Sequence, residues 1–259
     1  MSATRTASAT RTPGARREFL LRQGDTALIL GQRLSEWCGR APVLEEDIAL
    51  ANVALDLVGA AQLWLGLAAE GEETADTLAF RRDAWDFRNL LLVERPNLDF
   101  GHTILRQYLF DAFQVPHLAA MAEGTDPAVA EIAAKTLKEA RYHLDRSRGT
   151  VIALGDGTEE SHDRMQTALV ALWPYAGEML TPDEVDREMA AEGVCADPSD
   201  LREGWEAEVR GALAEATLTV PEDGFAHMGG KTGKRHSEHL GHMLTTMQWL
   251  QRSYPDAVW

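Results

Sequence analysis

The chain has 259 residues, 45% of them hydrophobic, and a formal net charge of −16. That is enough apolar material for a sizeable core, in one large domain or two small ones. The acidity argues against nucleic acid and anionic membrane surfaces as partners. The two cysteines, Cys38 and Cys195, exclude a disulfide framework and read as reduced thiols of a cytoplasmic protein.

Residues 1–16 read as a disordered tail of Ala, Thr, Ser and Arg, without the apolar segment of a secretory signal. The remainder, 17–259, reads as a single helical domain. A first helix is expected over about 16–37, with a stripe of Leu20, Ala27, Gly31 and Leu34, ended by Gly39 and Pro42. A second spans about 44–70 and opens on Glu45, Glu46 and Asp47, where the helix dipole favours acids. It is apolar on almost every side, which predicts a buried helix. Asn52, Asp56 and Gln62 keep its apolar run short of a membrane span. A shorter helical piece is expected over about 74–89. A long helix over about 98–123 follows, with Pro116 expected to kink it or end it early. Asp126 and Pro127 open the next helix as N-cap and first position, and Gly155-Asp156-Gly157 stops it. Thr158 caps a helix to about 179. An irregular stretch then holds a helix at 201–216, and a Gly-rich loop at 221–233 precedes a last helix over about 234–253. No segment alternates with period 2, so the fold class is all-α: a bundle of long core helices with extra helices at the C-terminal end.

Three acids stand out against apolar surroundings: Asp56, Asp111 and Glu139, on three different helices. A carboxylate in such a place is costly unless paired. Acids projecting into a bundle suggest a di-iron carboxylate site, which takes a Glu from each of two helices and Glu-x-x-His from each of the other two. Both expected histidines are missing, since Gly59 follows Asp56 at i+3 and Tyr142 follows Glu139. His143 is offset by one position. One reading is a metal site of Asp56, Asp111, Glu139 and His143 plus an acid or amide of the first helix (Asp25, Gln32 or Glu36). The other is a vestigial site whose acids are neutralised by hydrogen bonds or by Arg and Lys. The doubly broken Glu-x-x-His pattern favours the second.

Other patterns carry less. Glu159-Glu160-Ser161-His162 is a true Glu-x-x-His, but it lies in a first helical turn, where acids serve as caps. His236, His239 and His242, at i, i+3 and i+6, read as a polar helix edge. Phe225 to Thr232 resembles a phosphate-binding loop without its first glycine and without a preceding strand, so nucleotide hydrolysis is excluded. Its Lys231, Lys234 and Arg235 still make it the best local candidate for contact with a phosphate or an acidic patch. Trp64, Trp85, Phe87 and Phe113 read equally as core or as interface anchors.

Several stretches together resemble one family. They are 24–37 (Gly-Asp-Thr-Ala-Leu-Ile-Leu-Gly-Gln-Arg-Leu-Ser-Glu-Trp), 51–62, 87–94, 138–144 (Lys-Glu-Ala-Arg-Tyr-His-Leu), 155–166, and 236–241 with 251–255. They are similar to the C subunit of the ring-1,2-phenylacetyl-CoA epoxidase complex, over about residues 20–259. The resemblance implies a ferritin-like bundle and a non-catalytic, metal-free role. It also implies partners: a homologous A subunit that holds the di-iron centre, and a reductase with flavin and an iron–sulfur cluster. It carries over no catalytic residue.

Overall fold

The computed structural model describes residues 14–222 and 224–257. Most of the expected disordered tail, residues 1–13, lies outside that range. The fold is all-α and ferritin-like, with no strand among the described residues. Two long antiparallel hairpins make the bundle. The first pairs α1 (Ala15–Ser35) with α2 (Leu44–Ala68), and the second pairs α5 (Phe100–Ala122) with α6 (Pro127–Gly155). The short α3 (Ala75–Phe80) and α4 (Leu91–Glu94) connect them. The C-terminal part adds α7 (Glu159–Leu172), α8 (Glu184–Ala191), α9 (Arg202–Glu215) and α10 (Glu238–Ser253).

Local signals set these limits. Asp99 accepts from the His102 amide at 2.8 Å, and Asp126 accepts from Ala128 and Val129 at 3.1 and 3.2 Å, satisfying first-turn donors. The α1–α2 approach is close because Gly24 faces Leu65 and Gly31 faces the Ala54 carbonyl. The predicted stripe of Leu20, Ala27, Gly31 and Leu34 is buried there.

The structure corrects several boundaries. The helix expected over 74–89 breaks after Phe80, and a turn of 3-10 helix at Ala84–Asp86 follows. Pro116 does not end α5. The helix is wrapped by α6, α7 and α9, and packing of Phe113 and His117 outweighs the roughly 3 kcal/mol that an internal proline costs. The helix expected to reach 179 turns into 3-10 geometry at Trp173, one residue before Pro174. Helix α8, capped by Asp183, was not expected. Residues 15 and 16, placed in the tail by sequence, begin α1.

Burial is uneven. Helices α1 and α5 are enclosed on nearly every side, α1 by α8 and α4, and α5 by α7 and α9. Helix α2 is not buried all round. Leu55 is 68% exposed, and Leu44, Ile48 and Val58 also face outward. By length and composition α2 would pass for a membrane-crossing segment, against the sequence reading. Of the four aromatics, Trp64, Phe87 and Phe113 belong to the core, whereas Trp85 is exposed.

Candidate functional site

Asp56 on α2 and His143 on α6 meet across the bundle, with Nε2 of His143 3.0 Å from Oδ2 of Asp56. A carboxylate can only accept, so Nε2 carries the proton. Burial lowers the His143 pKa, and the Asp56 hydrogen bond and charge oppose that shift. The imidazole is therefore neutral at pH 7. Glu139, one turn before His143, faces the same carboxylate. Burial and the Asp56 charge raise its pKa, in that order.

Asp111 on α5 lies beside this pair, deeper in the bundle. Gln107 Nε2 donates to it at 2.7 Å, and Ser147 Oγ on α6 lies 2.8 Å from its Oδ2. Burial pushes its pKa up to about 8, against the lowering effect of those two bonds. All four residues named by sequence, Asp56, Asp111, Glu139 and His143, line one cavity of about 20 Å³. That volume admits about one water molecule.

The first helix gives this cavity Ala27 and no acid. Asp25 is fully buried elsewhere, held by the Arg82 guanidinium and by the Arg88 amide at 2.8 Å. Glu36 binds Arg33 and Asn97, both at 2.9 Å. At the positions where a di-iron site takes imidazole stand Gly59, which is exposed, and Tyr142, which is 57% exposed. Among the described residues no group of three or more His, Cys, Asp and Glu side chains is arranged to hold a metal. The donors do not fit a di-iron centre. Asp56 is satisfied by His143, Asp111 by neutral donors, and no α1 carboxylate reaches the cavity.

The remaining sequence candidates have structural partners. Glu159 and Glu160 sit at an exposed helix start, where Thr158 accepts from the Ser161 amide and His162 bonds the Gly155 carbonyl at 2.8 Å. The His236–His242 series does not share one helix, because α10 starts at Glu238. His236 precedes it and contacts Glu94 at 2.6 Å.

In the glycine-rich loop, Lys231 and two of the amides are engaged within the chain, while Lys234 and Arg235 are exposed. The amides of Gly229 and Lys231 donate to Glu178 Oε1 at 2.8 and 3.1 Å, and Leu91 donates to its Oε2 at 2.8 Å. Lys231 Nζ binds the Thr181 carbonyl at 2.7 Å and Asp186. An internal carboxylate fills the cradle that a phosphate would take.

Besides Asp186, two buried acids escaped the sequence reading. Glu178 is one. Glu94 is the other, accepting from Asn89 at 2.9 Å and from the Ser237 amide and hydroxyl at 2.7 Å each. Both sit in apolar runs, Leu90-Leu91-Leu92-Val93-Glu94 and Ala176-Gly177-Glu178-Met179-Leu180. The signal that singled out Asp56 was present in both.

The family model described as phenylacetic acid catabolic protein matches residues 1–259. The C subunit of 1,2-phenylacetyl-CoA epoxidase from Escherichia coli (strain K12) is 51% identical over 243 residues, covering 93% of this chain and 98% of that protein.

Proposed function

Because the chain belongs to the phenylacetic acid catabolic protein family, we propose that it is the non-catalytic structural subunit of a phenylacetyl-CoA 1,2-epoxidase in phenylacetate breakdown. In this reading the chain from residue 15 onward forms one ferritin-like unit in the cytoplasm. The unit pairs with a homologous A subunit that holds the di-iron centre. A reductase with flavin and an iron–sulfur cluster supplies electrons to that centre. This chain binds no iron and has no catalytic residue.

The observation that carries the reading is the Asp56–His143 bond. In a working bundle site, carboxylate and imidazole both point at metal. Here they point at each other, and the bond joins α2 to α6. Asp111, Gln107 and Ser147 make a second polar contact, between α5 and α6. The remnants of such a site then serve to fix helix positions.

A second reading has one observation in its favour: Asp56, Glu139 and His143 do share a cavity. It makes the chain an active di-iron oxygenase with atypical ligands. Iron analysis after anaerobic Fe(II) loading and desalting separates the two. Substoichiometric iron is expected. About two irons per chain would overturn the structural reading. In the assembled complex, Glu139→Ala should leave turnover intact; loss of activity with assembly preserved would favour the second reading.

A further inference from the structure

We propose that the outward face of α2, beside α6, is the docking surface for a different helical subunit, one whose own uncharged helix face is bracketed by Lys and Arg. The inference rests on the reading of this chain as a subunit and goes beyond it by assigning the surface and the chemistry of its occupant.

From residue 48 to residue 69 the sequence holds one charged residue, Asp56. A helix turns 100° per residue, so Leu44, Ile48, Leu55, Val58 and Gln62 fall within about 40° of one line, opposite the core-facing Leu50, Val53, Leu57 and Trp64. The structure leaves that line open. Leu44 is 71% exposed, Leu55 68%, Ile48 53% and Val58 41%. A Cβ built on Gly59 or Gly66 would meet no atom within 4 Å. Asp56 stands at the edge of the stripe, hydrogen-bonded to His143, so its charge lies off the apolar line itself. Soluble monomers seldom expose an apolar stripe this continuous without a partner.

A 25-residue helix is about 37 Å long and about 10 Å wide, so α2 alone presents a face of roughly 370 Å², and a partner docked on it also reaches the neighbouring edge of α6. A standard interface takes about 800 Å² from each partner. The other three helices of the bundle do not offer an equal face. α1 and α5 are enclosed, and α6 carries Lys135, Lys138 and Arg141 on its outer side.

Charge selects the occupant. Glu45, Glu46 and Asp47 flank the N-terminal end of the stripe, and Glu70, Glu72 and Glu73 lie beyond its C-terminal end; Arg146 pairs with Glu46 and Arg17 with Glu70 and Glu73, so the acidic excess at the two ends rests on Glu45, Asp47 and Glu72. A second copy in either orientation would set acids against acids. Anionic lipid is disfavoured for the same reason, since membrane-surface helices carry Lys and Arg along their polar edges. A partner with an apolar helix face and basic residues at its two ends meets both features.

The test is co-expression with the tagged A subunit of the same epoxidase, followed by capture and by titration of the purified proteins. Wild-type chain should co-purify. Leu55→Arg should weaken binding by at least ~30-fold, because it places an unpaired charge in an apolar contact. The variant should keep the wild-type melting temperature, since Leu55 is largely exposed. Val170→Arg on α7, at a residue 56% exposed, should bind as wild type. If Leu55→Arg binds as tightly as wild type, the surface assignment is overturned and the subunit reading stands. If wild type does not bind the A subunit, both fall. Self-association abolished by Leu55→Arg, or Leu55-dependent sedimentation with mixed phosphatidylcholine–phosphatidylglycerol vesicles, would assign the face to another occupant and overturn the proposal.

Discussion

Ser147 Oγ lies 2.8 Å from Asp111 Oδ2, in a part of the bundle where neither residue is reached by solvent. No cation contacts Asp111 among the described residues, and its hydrogen-bond donors are neutral. Burial therefore dominates, and the carboxyl holds its proton up to about pH 8. Its folded pKa is raised above the unfolded value, so its contribution is fully present below about pH 4. It is lost as pH rises through about 8. Asp111→Asn keeps the shape and removes the titration. The variant should match wild type near pH 4 and exceed it by a few kcal/mol at pH 9. Thermal denaturation across pH checks this, and parallel curves for the two proteins would refute it.

His117 gives the opposite dependence. It stacks on Phe113 at 5.0 Å, and its Nδ1 is buried without a hydrogen-bond partner. Burial lowers its pKa from 6.5 to about 4. A depressed folded pKa means that the unfolded chain takes up the proton first. Stability is then complete above about pH 6.5 and falls as pH drops towards 4, by roughly 3 kcal/mol. His117→Leu should flatten this acid limb while changing stability at pH 8 by no more than about 1.5 kcal/mol. Urea titrations at the two pH values measure both quantities.

Glu94 anchors the C-terminal helix. Its carboxylate takes the Ser237 amide and hydroxyl and contacts His236 at 2.6 Å, just before α10 begins. Glu94→Ala leaves these groups buried without their acceptor, at a cost of about 3–5 kcal/mol. The melting temperature should fall by roughly 10 °C. The freed segment should be cut by trypsin at Lys234 and Arg235 faster than in wild type. Glu94→Gln, which keeps one acceptor oxygen, should lie between the two. Unchanged cleavage in Glu94→Ala would show that α10 is held by its apolar contacts alone.

The all-α class and the long helices were legible in the sequence because period and caps are local. Asp126, Pro127 and Thr158 act within three residues of themselves. The candidate cluster was legible because a carboxylate in an apolar run is costly anywhere. Its wiring was not legible: Asp56 meets His143 across 87 positions, and no local pattern encodes that distance. The outward face of α2 was misread for a related reason. An exposed apolar face and a core-facing one share a composition, so Leu55 and Leu57 look alike until the bundle is assembled. The internal partner of the phosphate-like loop was hidden for the same reason. The loop's amides are real anion donors, but Glu178 lies 51 residues before Gly229 and claims them.

Two glycines on the bundle should respond in opposite ways to the same substitution. Gly24 on α1 faces α2 so closely that an added Cβ would lie 2.7 Å from Leu65 side-chain atoms and 3.2 Å from its backbone nitrogen. The side chain could turn away, but the backbone cannot. Gly24→Ala should therefore push the α1–α2 hairpin apart and cost about 1–3 kcal/mol. Gly149 lies within α6, is exposed, and has no atom within 4 Å of an added Cβ. There alanine removes only the conformational freedom of the unfolded chain and the poor helix propensity of glycine. Gly149→Ala should therefore gain about 0.5–1 kcal/mol. The urea midpoint should fall for the first variant and rise for the second, with the slope unchanged in both. A stabilised Gly24→Ala would show that the hairpin relaxes at no cost, and that glycine is not what sets its spacing.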